Sequence, residues 1–178
     1  MNKKLWDECV TFHGHECPGL AIGYRAAEIA KEQLGDIFSP EFDEEVVCVS
    51  ENDACGVDAV QWITGCTIGK GNLIYKPSGK MAFSFFIRET GQGIRLVMKP
   101  NAFDDNISRE ELQKYILEAP AEEVFWVKKP NYKIPQRARL FKSVICENCG
   151  EASPEYKMRL VDGKRVCIDC FDDYERGW

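Results

Sequence analysis

Apolar residues in this chain first recur at helical spacing. Leu5, Cys9 and Phe12 share one face of a helix expected over residues 3–12. Leu20, Ile22, Ala26, Ala27, Ile29, Ala30 and Leu34 carry the same period through a second helix, closed by Gly35. Pro18 suits the first turn of that helix, where a missing N–H would be unpaired anyway, and so Cys17 falls at the helix start. There the helix dipole favours a thiolate. Then the pattern changes. Val46-Val47-Cys48-Val49 is a short apolar run, read as a buried strand over residues 45–50. Asn52 or Asp53 can cap a third helix carrying Val57, Ala59, Val60 and Ile63, with Gly65 as its stop. Residues 73–76, 81–88 and 93–99 read as strands separated by Pro77-Ser78-Gly79 and Thr90-Gly91, which predicts an antiparallel meander. Ser108-Arg109-Glu110-Glu111 has the form of a capping box and opens a helix through Leu117, ended by Ala119-Pro120. Val124-Phe125-Trp126-Val127 reads as a last strand.

Helices and strands interleave at first and strands follow one another later, which predicts an α+β domain with a mixed sheet. The core is expected over residues 1–130. A basic, proline-containing linker is expected over 131–142 and a small metal-held unit over 143–178. The chain has 178 residues, 44% hydrophobic and 29% charged, within the range of soluble globular proteins. A formal net charge of -6 argues against a general polyanion-binding surface. The basic run of Lys128, Lys129, Lys133, Arg137, Arg139 and Lys142 is therefore read as a solvated linker, and nucleic acid is not an expected partner. No apolar stretch approaches bilayer length, so no membrane association is expected. No apolar run follows Lys3-Lys4, so no signal peptide is expected either. Nine cysteines without one point to a reducing compartment, by default the cytoplasm.

Four of those cysteines have a recognisable spacing. Cys146 and Cys149 form C-x2-C, seventeen residues intervene, and Cys167 and Cys170 repeat the pattern. Such spacing marks a four-thiolate zinc site, because two residues between thiols let both sulfurs turn toward one ion. Four thiolates close the coordination sphere, so this zinc is expected to organise folding and leave no position for chemistry. Redox pairs or chance pairs of buried thiols are the competing explanation.

Chemistry is therefore sought upstream. The two histidines of the chain, His13 and His15, stand beside Cys17, an imidazole and thiolate set suited to zinc or another transition metal. The plainer account is that the histidines finish a helix and Cys17 fills a small core position. Cys55, in the first turn of the third helix, and Cys66, in a small-residue loop, can each reach a cleft. Cys48 and Cys9 have apolar neighbours and read as core thiols. Glu51, Asp53 and Asp58 are explained as caps and solvated faces, with Asp53 a secondary ligand or proton-transfer candidate. Gly69-Lys70-Gly71 lacks the remaining spacing of a phosphate loop.

Three stretches together resemble the family named for the E component of formylmethanofuran dehydrogenase. They are His13-Gly14-His15-Glu16-Cys17-Pro18-Gly19, Asp53-Ala54-Cys55-Gly56-Val57-Asp58-Ala59 and Thr64-Gly65-Cys66-Thr67-Ile68-Gly69-Lys70-Gly71-Asn72-Leu73. The resemblance spans residues 5–130 and implies a thioredoxin-like α+β core, its mixed sheet flanked by helices. It also implies an active site able to hold zinc, with His15, Cys17 and Cys55 as ligands and catalytic candidates, and His13 and Cys66 as neighbours. The tail resembles the treble-clef zinc finger appended in some members. Members accompany molybdenum-dependent formylmethanofuran dehydrogenase, so its subunits, or those of another molybdenum enzyme, are the expected partners. The chain lacks the cysteine sets for several iron–sulfur clusters and is too small to serve as a molybdopterin-binding component. An accessory, metal-binding role in one-carbon or molybdenum metabolism follows. Two other functions remain open: a thiol redox protein pairing Cys17 with Cys55 or Cys66, and a zinc-finger module that binds protein or nucleic acid. A homodimer is expected, since a small finger on a basic tether often packs on a neighbouring protomer.

Overall fold

Strand β1 (Val46–Ser50) organises the larger unit of the computed structural model, which describes residues 1–38, 44–104 and 106–172. It pairs in parallel with β2 (Leu73–Tyr75) and antiparallel with β3 (Ala82–Ile87). The sheet continues antiparallel through β4 (Gly93–Met98) to β5 (Phe125–Lys128), giving the order β2-β1-β3-β4-β5. The mixed sheet is thus as expected, but the meander is not. Helix α3 (Gly56–Thr64) carries the chain from β1 to β2, and such a crossover returns a strand parallel to the first. β2 therefore lies outside β1, and the following turn takes the chain to the other side of β1, where β3 begins. Local turn signals locate strands but not their neighbours.

Strand residues alternate between the two faces of the sheet. Val46, Cys48, Phe83, Phe85, Ile94 and Leu96 face the main core. There they meet α1 (Lys3–His13), α2 (Pro18–Leu34), α3 and α4 (Arg109–Glu118). Val47, Val49 and Phe86 face the other way and are covered by Ile74, Tyr132 and Ile134. Among the described residues the helices flank one face only. The first of two compact units runs Met1–Ala138, so residues 131–138 belong to it although a linker is expected there. Arg88 fixes this segment by donating from Nη1 to the Pro135 carbonyl at 2.6 Å and from Nη2 to that of Gln136 at 3.3 Å. Proline and charge do predict irregular backbone here. They do not predict that Tyr132 and Ile134 find an apolar sheet face to cover.

On that outer face Glu51 and Arg95 form a two-pronged ion pair, Nε–Oε1 2.6 Å and Nη2–Oε2 2.8 Å, although they are only 1% and 4% exposed. The Ser78 hydroxyl donates to the same carboxylate at 3.0 Å.

Helix ends follow their local chemistry. Asn2 caps α1 by accepting from the Leu5 N–H, and Gly14, at φ 94°, ends it in the left-handed region. The Ser108 capping box has both of its bonds. At α3 the expected Asn52 or Asp53 cap is not used. The side-chain carbonyl oxygen of Asn52 instead accepts from the Ala54 N–H, and Cys55 takes the cap position without a side-chain bond. A four-residue helix, α5 (Ala121–Val124), precedes β5.

Two glycines decide how closely α2 meets α3. A Cβ placed on Gly23 would lie 1.9 Å from the Gly56 carbonyl oxygen, and one on Gly56 would lie 2.9 Å from that of Gly19. Backbone therefore packs on backbone here, and no side chain can yield. Gly23→Ala is expected to cost about 3 kcal/mol, the upper end of ordinary overpacking, because α3 must move as a body. Urea unfolding followed by circular dichroism checks it, and an unchanged midpoint would contradict this packing.

The second unit, Arg139–Trp178, contains two short antiparallel hairpins. β6 (Ser143–Ile145) pairs with β7 (Ala152–Pro154), and β8 (Arg159–Val161) pairs with β9 (Lys164–Val166). Its buried centre consists of Cys146, Val166 and Cys167. Among the described residues no helix is long and apolar enough to cross a membrane.

Candidate metal centre

The turn between α1 and α2 gathers three donor groups. Gly14 stops α1 just after His13, and Cys17 takes extended backbone (φ -160°, ψ 158°) as the cap residue of α2. His15 projects between them. One donor atom each from His13, His15 and Cys17 lies within 4.8 Å of the others. The His13 Nε2 to Cys17 Sγ separation is 3.9 Å, and the imidazole centroids are 4.5 Å apart. Donors sharing a tetrahedral zinc at ordinary bond lengths lie about 3.5 Å apart, so small rotations suffice to close the set. Cys17 is buried, His13 half-buried and His15 exposed, which leaves the His15 side open to solvent.

Neighbouring groups orient these donors. Asp58 Oδ2 lies 2.7 Å from His13 Nδ1. A carboxylate accepts from a protonated Nδ1, which turns the lone pair of Nε2 toward Cys17 and His15. The Leu20 N–H donates to Cys17 Sγ at 3.3 Å, a helix-start bond that fixes the position of the sulfur.

Cys55 comes to this turn from α3. A Cβ on Gly19 would lie 3.5 Å from Cys55 Sγ and 3.8 Å from Cys17 Sγ, so both thiols face the same glycine. Burial, then a hydrogen bond with Cys17 and its charge, push the Cys55 thiol up. Cys55 lies beside the three-donor group and is not one of its members. Cys66, expected as a neighbour, is not brought to the site. It is fully buried and its thiol donates to the Val46 carbonyl at 3.4 Å, and burial raises it to about 11. Asn72, at the end of the following loop, donates from its side-chain amide to the same Val46 carbonyl at 3.0 Å. Cys9 and Cys48 are core thiols, with burial raising Cys9 to about 12.

Asp58 is the residue that sequence reasoning passes over as a solvated helix face. Its signal is the spacing from Cys55, three residues on and so on the same face of α3. His13, Cys55 and Asp58 also line one wall of a cavity of about 440 Å³.

In the second unit the four thiols of Cys146, Cys149, Cys167 and Cys170 lie within 4.8 Å of one another. The Cys149 and Cys167 sulfurs are 3.9 Å apart, close to the edge of a zinc–thiolate tetrahedron, about 3.8 Å at ordinary bond lengths. The backbone N–H groups of Cys149 and Cys167 hold the Cys146 thiol down to about 6, the Cys167 N–H at 3.3 Å from its sulfur.

Comparisons with known proteins agree with this division. Residues 12–128 match the family model described as FmdE, molybdenum formylmethanofuran dehydrogenase operon. Residues 139–176 match the prokaryotic dksA/traR C4-type zinc finger. A probable S-adenosyl-L-methionine-binding protein of Archaeoglobus fulgidus is 30% identical over 192 residues, covering 92% of this chain and 51% of that protein. The chain thus spans about half the length of that curated relative. The crystal structure of a tungsten formylmethanofuran dehydrogenase FmdE-like protein from Syntrophus aciditrophicus is similar, with a TM-score of 0.69 and 25% identity. That likeness covers 94% of this chain and 90% of the other.

Proposed function

This chain belongs to the FmdE family, and from that premise we propose that it is a metal-binding accessory protein of one-carbon or molybdenum-enzyme metabolism. Its working site is the turn between α1 and α2, where His13, His15 and Cys17 would hold a zinc ion, with the Cys55 sulfur beside them. The observation that carries this reading is the three donor atoms lying within 4.8 Å of one another on a turn open to solvent on one side. A zinc ion bound there supplies Lewis acidity to a water or thiol entering from that side. The chain's own residues do the rest. Asp58 orients the His13 ring through Nδ1, the Leu20 N–H fixes the Cys17 sulfur, and Gly19 leaves room for Cys55 beside it.

The proposed partners are components of formylmethanofuran dehydrogenase or another molybdenum enzyme, and the proposed assembly is a homodimer. The proposed setting is the cytoplasm, where nine thiols stay reduced. Binding of S-adenosyl-L-methionine is not carried over from the relative, because about half of that protein has no counterpart here.

Metal content tests the proposal. The purified chain is expected to carry two equivalents of zinc, and Cys17→Ser one, with the tail still loaded. An unchanged zinc content in Cys17→Ser would remove the front site from the account.

The meeting of Cys17 and Cys55 at Gly19 favours a second reading, a thiol redox pair. Against it stands the spacing of the core cysteines, Cys9, Cys17, Cys48, Cys55 and Cys66, no two of which form a C-x2-C pair. Thiol titration under air and under reductant separates the two, since a redox pair loses two thiols reversibly.

A further inference from the structure

The cavity beside the front site lies at the C-terminal ends of the two parallel strands. Ser50 ends β1 and Tyr75 ends β2, and both line it. α3 closes another wall with Val57, Asp58 and Gln61. In open sheets ligands settle in the crevice outside the carboxyl ends of parallel strands, between those ends and the crossover helix. A volume of about 440 Å³ lies within the range of small-molecule sites. His13 and Cys55 belong both to this lining and to the front site, so the cavity borders the proposed metal.

The polar groups of the lining all bear on one kind of ligand. Its charged side chains are Asp53 and Asp58, besides the imidazole of His13, and no lysine or arginine is among the described lining residues. Asp58 is engaged by His13, whereas Asp53 is exposed and interacts with the Tyr75 hydroxyl, which burial and then this carboxylate raise. Ile68 and Leu73 add an apolar wall. Apart from the proposed metal at its border, the cavity would offer an anion two carboxylates and no lysine or arginine among the described lining residues. A ligand with an ammonium group meets Asp53 and lays its apolar body on Ile68 and Leu73.

We propose that this cavity is the substrate pocket of the front site and that it takes small amine-bearing molecules, with Asp53 as the ammonium partner. Its role as a substrate pocket rests on the metal site proposed above; its preference for amines does not. Asp53 here determines specificity and takes no part in holding the metal.

The test uses three probes of similar shape and different charge on the full-length, zinc-loaded chain: phenethylamine, 2-phenylethanol and phenylacetate. Two-dimensional amide NMR locates binding, and the shifts give an affinity for each. Phenethylamine is expected to move resonances of residues 50–58 and 73–75 and to bind about tenfold more tightly than phenylacetate, as one partly solvated charge pair allows. Asp53→Asn should bring the three probes to within about twofold of one another, since only the charge contrast has gone. Equal affinities in the natural chain, a preference for the carboxylate, or shifts confined to other residues would overturn the pocket. Zinc counted in the same samples judges the front site separately. Two zinc equivalents without amine preference sink the pocket alone, and amine preference with only the tail zinc sinks the metal reading alone.

Discussion

Cys146→Ser is expected to unfold the second unit while the first keeps its structure. Four hairpin strands of three residues each, over a buried centre of Cys146, Val166 and Cys167, bury far too little apolar surface to offset their ordering. The metal must supply the difference. Structural zinc sites contribute about 10–16 kcal/mol in apparent binding free energy, so losing one thiolate removes the main source of order in this unit. Amide NMR should show resonances of residues 143–172 collapsing toward random-coil positions, with those of residues 1–138 in place. A strong chelator should do the same to the natural chain. Acid should act in the same direction. In the metal-free tail the folded environment lowers the Cys146 thiol to about 6 from an ordinary 9. Its own contribution is therefore complete above the ordinary value and lost as pH falls through about 6, and bound zinc moves that loss to lower pH. Hairpin resonances that stay dispersed after zinc is removed would show that the peptide holds itself.

How much of the molecule its sequence discloses depends on how local each signal is. The Pro18 start of α2, the Ser108 capping box and the Gly65 stop of α3 are legible because each is settled within four residues. The C-x2-C pairs are legible for the same reason, since each knuckle places its own two sulfurs. The His13-x-His15-x-Cys17 turn is also local, and these are the three donors that the fold brings together. What the sequence hides is non-local. Nothing in residues 73–75 says that β2 pairs with β1 and not with β3; the crossover of α3 decides it. Nothing in the proline-rich stretch says that Tyr132 and Ile134 lie over Val47, Val49 and Phe86. Cys66 looks like Cys55 from its neighbours, both next to glycine, but the chain turns one sulfur to the Val46 carbonyl and the other to Cys17. The approach of α2 to α3 is hidden too, although it places the site: Gly23 and Gly56 let the helices close until Asp58 reaches His13.

The same outer face that covers those strands should set the acid limit of the larger unit. Glu51→Gln or Arg95→Met is expected to cost about 3–5 kcal/mol, because either change leaves the other partner's charge or polar group buried without its match. Removing both together, as Glu51→Met with Arg95→Met, should cost much less than the sum, since an apolar pair needs no solvation. The pair also predicts a pH dependence. Hydrogen bonding to Arg95 holds the Glu51 carboxyl near 2, against an ordinary 4.5, with Tyr132 and Ser78 adding further bonds. Its contribution is therefore fully present above the ordinary carboxyl range and is lost as pH falls from about 4.5 toward 2. A shift of that size corresponds to about 3 kcal/mol. Denaturant midpoints of the Met1–Ala138 unit, followed within the full chain by its own NMR resonances between about pH 7 and about pH 2.5, check both claims. The natural chain should weaken steeply below about pH 4.5, and the double methionine variant should weaken less. Equal acid slopes in the two would mean that Glu51 titrates as an ordinary solvated carboxyl and that the clamp over the sheet does not hold its charge.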